Sequence, residues 1–239
     1  NYLLNQQTDE ALDVFIDAFA VNVKTFDTHM ALGGVFRRRG EVDKAIQIHQ
    51  NLMSHKSLST EQAMVAELEL AHDFIKAGLL DRAEVLLLNI VEQHSTRQLR
   101  AAELLLDLYQ KERDWHKALA VGNAYAVKHN VADLNHAMSH YCCELSIESW
   151  HQNDLKTSRS YLRKASQYDN SNARIQLLQA ELCISQDNYK QAIVWLQGVA
   201  NLDTQLLPEV IEPLQLCYAK LSDTSGFLHW LQRSMEKNP

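Results

Sequence analysis

An alanine recurs early in one amphipathic run after another along this chain, and its spacing constrains the fold more than any other feature. The segments are Asp9-Glu10-Ala11, Asp43-Lys44-Ala45, Asp81-Arg82-Ala83, His116-Lys117-Ala118, Lys156-Thr157-Ser158 and Lys190-Gln191-Ala192, with Phe227 in the last such place. Successive intervals are 34, 38, 35, 40, 34 and 35 residues. A unit of that length cannot bury its apolar face alone and is stable only when stacked on its neighbours. The longer intervals predict small insertions at turns, near Ser57-Leu58-Ser59-Thr60 and near Asn130-Val131-Ala132-Asp133.

Residues at constant offsets support the register. Twelve positions before each marker stand Gly33, Ala71, Leu106, Ser146, Ala180 and Gln215, four of the six small, as close helix approach requires. Three residues later come the large plugs Phe36, Phe74, Tyr109 and Tyr218. Four residues after the marker, Phe15, Leu87, Leu162, Leu196 and Leu231 supply a further inward apolar residue. Gly40 and Gly78 fall in the turn between paired helices, where a positive φ is often needed. A period of about 34 residues with a small-residue helix crossing is that of the tetratricopeptide repeat (TPR). The expected fold is therefore all-α, a TPR superhelical solenoid of stacked antiparallel helix hairpins. A single array over 1–239 is predicted, with a partial first repeat at about 1–24. Six hairpins follow, at about 26–59, 64–97, 99–132, 139–172, 173–206 and 208–239. The last first-helix turn of the partial repeat is Tyr2-Leu3-Leu4, so the chain reads as a piece of a longer protein.

Composition agrees. Only three prolines and seven glycines are present, too few turn residues for a β sandwich. A net charge of −7 with mixed signs lacks the basic face that nucleic acid demands. Cys142, Cys143, Cys183 and Cys217 form no CxxC pair and read as buried thiols of a reducing, cytosolic setting. No apolar run reaches the length that crosses a bilayer.

First helices of such hairpins line a concave groove whose exposed side chains read a protein partner. By register those are Arg37, Arg38, His72, Lys76, Arg100, Asp107, Lys111, Trp150, His151, Arg174, Glu181 and Lys220. Cations close four first helices (Arg38, Lys76, Lys111, Lys220), a stripe suited to an acidic or extended segment. The alternative is that each complements the helix macrodipole, worth a few tenths of a kcal/mol. The lysine–asparagine clamp that holds chaperone tails is missing, since its places carry Met30, Gly34, Leu68 and His72.

Catalytic and metal signals are weak. His136, His140 and Cys143 share one helical face and could hold zinc only with a fourth ligand from elsewhere. Packing is the plainer reading, and no metal or cofactor is expected. Nothing has the glycine pattern of a nucleophile elbow or a phosphate loop. Glu67 and Glu69 point to different faces. Trp195 and Trp230 are 35 residues apart and read as equivalent packing residues, whereas Trp150 is expected to face the groove.

Longer stretches carry a resemblance to a named family. LGGVFRRRGEVDKAIQIHQ (Leu32 to Gln50) is the most specific, joined by Asn51-Leu52-Met53, AGLLDRAE (Ala77 to Glu84) and HYCCELS (His140 to Ser146). SQYDNSNAR (Ser166 to Arg174) and PLQLCYAKL (Pro213 to Leu221) extend it along the whole chain. Together they resemble the LapB (YciM) family, lipopolysaccharide assembly protein B of Gram-negative bacteria. The resemblance implies a non-enzymatic adaptor at the cytoplasmic face of the inner membrane. Such proteins help the protease FtsH degrade the deacetylase LpxC, opposed by PbgA/YejM. It also implies an N-terminal membrane anchor and a C-terminal rubredoxin-type metal domain. Neither is found in this sequence, and the four cysteines are not that domain's ligands. A platform that gathers lipopolysaccharide enzymes without directing proteolysis is the alternative, and a homodimer is compatible with either.

Overall fold

The computed structural model describes residues 26–54, 58–92, 97–129 and 132–237. The expected first repeat, with Ala11 and Phe15, and the turn residues Ser57, Asn130 and Val131 lie outside them. Among the described residues there are twelve α-helices, one 3-10 turn and no strand. The chain divides into two compact units, Asn1–Asp114 and Trp115–Pro239. The first holds α1 (Phe26–Arg39), α2 (Val42–Met53), α3 (Thr60–Ala77), α4 (Leu80–Glu92) and α5 (Gln98–Glu112). The second holds α6 (Trp115–His129), α7 (Ala132–His151), α8 (Leu155–Tyr168) and α9 (Ala173–Ile184). It continues through α10 (Tyr189–Leu202), the 3-10 turn Thr204–Leu206, α11 (Leu207–Lys220) and α12 (Thr224–Lys237). Within each unit every helix packs on the next. In the first, α3 also touches both α1 and α5; in the second, α7 touches α9.

The turns explain the period. Gly40, Gly78, Arg113, Asn153, Asp187 and Ser222 all have positive φ, between 56° and 83°. Each lies five residues before a marker position (Ala45, Ala83, Ala118, Ser158, Ala192, Phe227). Each amide donates to the carbonyl three residues back, and the next amide to the carbonyl five before it, as in Gly78 N–Ile75 O (3.2 Å) and Leu79 N–Phe74 O (2.8 Å). This closure satisfies the orphan carbonyls of the first helix and reverses the chain in very few residues. Only two of the six places hold glycine; asparagine and aspartate visit the left-handed region at modest cost, whereas arginine and serine must be held there by the closure itself.

Four helix starts are capped by the side chain of the residue that precedes them. Ser59 and Gln62 form a reciprocal capping box at α3. Asp154, Asn172 and Asn188 accept from backbone amides at the starts of α8, α9 and α10.

The register positions form the core. Ala45, Ala83, Ala118, Ser158 and Ala192 are fully buried, as are Leu87 and Leu162, with Leu196 nearly so. Leu86, a neighbour of Leu87, instead lines an outer groove, because only one stripe of an amphipathic helix faces its partner. Ser146 and Ser158, small residues that meet at one crossing, hydrogen-bond at 2.8 Å in the interior. Gly122 is required because the Met138 thioether of α7 fills the space its Cβ would need. The last hairpin departs from the pattern: Gln215 is exposed, and Phe227 is half-buried, stacked on Trp230 at 6.3 Å. Trp195 and Trp230 both pack against the core built from α9, α10 and α11.

Candidate protein-binding face

Arg38, Lys76 and Lys111 each stand two residues before the positive-φ turn residue of their hairpin, so they repeat on the last turns of α1, α3 and α5. All three are exposed, and no carboxylate lies within ion-pairing distance of any of them among the described residues. α3 touches both α1 and α5, so the three helices that carry these residues are neighbours in the first unit. His72 lies one turn before Lys76 and is half-buried. Burial, then Arg37, Lys76 and Arg100, push its pKa below the ordinary value, against Glu69. Arg37, Lys76 and Arg100, one from each of α1, α3 and α5, thus add to the effect of burial on this imidazole. Arg100 is exposed and pairs locally with Glu103 at 2.9 Å, while Asp107 is exposed and forms no ion pair among the described residues.

Arg37 is different from its neighbour. Its side chain is only 12% exposed, and it bonds Glu69 at 2.5 Å and Asp73 at 2.9 Å on α3. Burial opposes the guanidinium charge, yet the hydrogen bonds and charges of Glu69 and Asp73 outweigh it and raise the pKa. Arg37 thus holds α1 to α3 instead of presenting its charge to a partner, because a buried cation is tolerable only with its full set of acceptors. The other side of Asp73 receives Nδ1 of His49 at 2.5 Å, with both side chains fully buried. His49 stands four residues after Ala45, where other hairpins place Leu87, Leu162 and Leu196. The departure from that leucine place was the sequence signal for this network. A carboxylate-oriented histidine resembles a general base. Here, however, Nε2 has no hydrogen-bond partner among the described residues and faces Gly33 in the sealed core. No substrate reaches it.

In the second unit the predicted residues do not gather into a comparable face. Trp150 is half-buried against the cluster of Cys142, Cys143, Leu162 and Ala165, which corrects its expected exposure. An indole at that position covers more apolar area by packing on this cluster than by standing in water. His151 is exposed beside it. The guanidinium of Arg174 donates to Glu144 at 2.6 Å. Glu181 and Lys220 are exposed, on α9 and α11. His136 pairs with Asp169 at 2.8 Å, His140 meets Trp115 edge-on, and Cys143 is fully buried, so the three do not converge. No cluster of three metal-ligating side chains occurs among the described residues. Burial pushes the Cys142 thiol up to about 11 and the Cys143 thiol up to about 12. No described helix is long and apolar enough to cross a membrane.

The tetratricopeptide-repeat family matches residues 28–62 and 149–210. Lipopolysaccharide assembly protein B of Escherichia coli strain K12 is 35% identical over 238 residues, covering all of this chain. The chain belongs to the lipopolysaccharide assembly protein B family. The Haemophilus influenzae member is 33% identical over 242 residues and 98% of the chain. The chain spans 61% and 60% of the length of these two relatives. The C-terminal part of a TPR protein from Cytophaga hutchinsonii has the same fold, with a TM-score of 0.64 at 13% identity over 93% of this chain and 87% of that one.

Proposed function

We propose that this chain is a non-enzymatic adaptor of lipopolysaccharide assembly that captures the deacetylase LpxC and presents it to the protease FtsH. The supporting observation is the set Arg38, Lys76 and Lys111, exposed and without carboxylate partners among the described residues, in a protein of net charge −7. Repeated cations on successive first helices suit an acidic or extended segment of a partner, and steer its approach over a Debye length of about 10 Å. PbgA/YejM is the antagonist in this reading, and the site of action is the cytoplasmic face of the inner membrane. The kinship with lipopolysaccharide assembly protein B along the whole of this chain supports the pathway, and the repeats support the mode of action.

The test is calorimetric titration of the chain with purified LpxC at two salt concentrations. Micromolar or tighter binding is expected, weakening with salt and weakening again when Arg38, Lys76 and Lys111 are changed to Glu. Unchanged affinity in that variant, with an intact helical spectrum, would sink the assignment of the face. If several lipopolysaccharide enzymes bind while LpxC lifetime stays constant, the protein is an assembly platform and not a proteolytic adaptor.

A further inference from the structure

A second cationic surface lies in the other unit, on the second helix of its hairpin, and belongs to none of the predicted groove positions. Helix α8 carries Lys156, Arg159, Arg163 and Lys164 and no carboxylate between Leu155 and Tyr168. Four cations on one short helix of an acidic protein repel each other unless something compensates them. Direct ion pairing does not do so among the described residues: none of the four lies within ion-pairing distance of a carboxylate. The nearby Asp154 carboxylate is committed to capping, accepting from both the amide and the hydroxyl of Thr157.

Three of these cations share one side of α8 and open into a groove between α8 and α9. The groove has a volume of about 650 Å³ and is lined by Leu155, Lys156, Arg159, Arg163, Gln179 and Gln186. The Arg159 guanidinium donates to the Gln186 side chain, which ties it across to the end of α9 and fixes its direction. Lys164 leans over the Tyr161 ring, 5.6 Å from its centre, away from the groove lining. Lys156, Arg159 and Arg163 follow one another at steps of about 4.5 and 6 Å along the helix. In an extended chain, alternate side chains recur about every 6.6 Å. Carboxylates on alternate residues of a strand-like segment therefore meet successive cations, and the two glutamine amides remain for its backbone.

We propose that the α8–α9 groove docks an extended acidic segment of a partner protein, read by Lys156, Arg159 and Arg163. This surface is separate from the Arg38–Lys76–Lys111 face and does not depend on what that face binds. A protein segment fits better than a lipid surface, because the cations line a recess and α8 exposes no large hydrophobic residue for insertion. It fits better than nucleic acid, because no aromatic ring lines the groove to stack a base.

The experiment uses the whole chain and a fluorescent twelve-residue peptide of alternating Glu and Thr, with a Gln-for-Glu peptide as control, read by anisotropy. Saturable binding of the Glu peptide is expected, weakening between about 50 and about 300 mM salt as exposed charges are screened. The R159E/R163E pair should weaken it at least about tenfold, whereas R38E/K76E should leave it within about twofold. If R159E/R163E loses its helical spectrum, the neutral K156Q/R163Q pair replaces it with the same expectation at smaller amplitude. Equal binding by wild type and R159E/R163E overturns the proposal, as does equal binding of the Gln peptide. Capture of phosphatidylglycerol vesicles or single-stranded DNA through Arg159 and Arg163, with no affinity for the acidic peptide, also overturns it.

Discussion

Gly33 on α1 and His49 on α2 fit together so closely that a Cβ on residue 33 would overlap the imidazole, lying 2.5 Å from its Cε1. Glycine is required here by a neighbour's ring and not by backbone conformation, since Gly33 is within a helix. The ring cannot yield, because its Nδ1 is bonded to the buried Asp73. Gly33→Ala should therefore destabilise by about 1–3 kcal/mol, even though alanine favours the helix by about 0.5–1 kcal/mol. Urea unfolding of G33A, H49A and the double variant checks this. A double variant no more stable than the sum of the singles would show that the ring is not what excludes the methyl group.

Adjacent arginines should behave oppositely. Arg37 is enclosed with Glu69 and Asp73, while Arg38 is exposed. Arg37→Ala leaves the buried Asp73 carboxylate with one partner fewer and should cost about 3 kcal/mol. Arg38→Ala should stay within about 0.5 kcal/mol. Denaturation midpoints of the two variants decide it, and equal midpoints would contradict the buried network.

Acid should weaken the fold through two half-buried histidines. Burial, Arg37, Lys76 and Arg100 lower the pKa of His72 against Glu69. Burial, Arg174 and His136 lower that of His140 against Glu144. The unfolded chain then takes up these protons first as pH falls from about 6.5, so stability is full above that value and is lost as pH drops toward the lowered folded values. The urea midpoint should be lower at pH 5.5 than at pH 7.5, and H72Q/H140Q should flatten the difference. A midpoint that rises on acidification would reverse the sign argued here.

The cysteines should be chemically silent in the folded protein. All four are buried, and the Cys142 and Cys143 thiols are pushed up to about 11 and about 12 by burial. The thiolate is the reactive form, and at pH 8 almost none is present. A chromogenic disulfide reagent should therefore titrate no thiol quickly in buffer and all four in denaturant. Rapid labelling of Cys142 or Cys143 in the native state would contradict their burial.

The repeat was legible because it is written in local rules. Ala45, Ala83, Ala118 and Ala192 recur with the turn residues five before them, and helical periodicity and turn chemistry act within a few residues. The positive-φ places at Arg113, Asn153, Asp187 and Ser222 were harder to see, since turn closure there overrides residue preference. Arg37 and Arg38 are identical letters side by side, and no local rule separates them. Only the approach of α3, bringing Glu69 and Asp73, draws one inward and leaves the other in solvent.

Local periodicity and turn chemistry were enough to specify a series of helical hairpins with cations at the ends of first helices, because both act within a few residues of chain. Tertiary structure alone decided which of those cations are free. It closed Arg37 and His49 around Asp73, packed Trp150 against the cluster of Cys142, Cys143 and Leu162, and left Lys156, Arg159 and Arg163 lining a groove beside α9. The reason is that a side chain's free energy depends on the neighbours that reach it, and those come from residues 20 to 40 positions away.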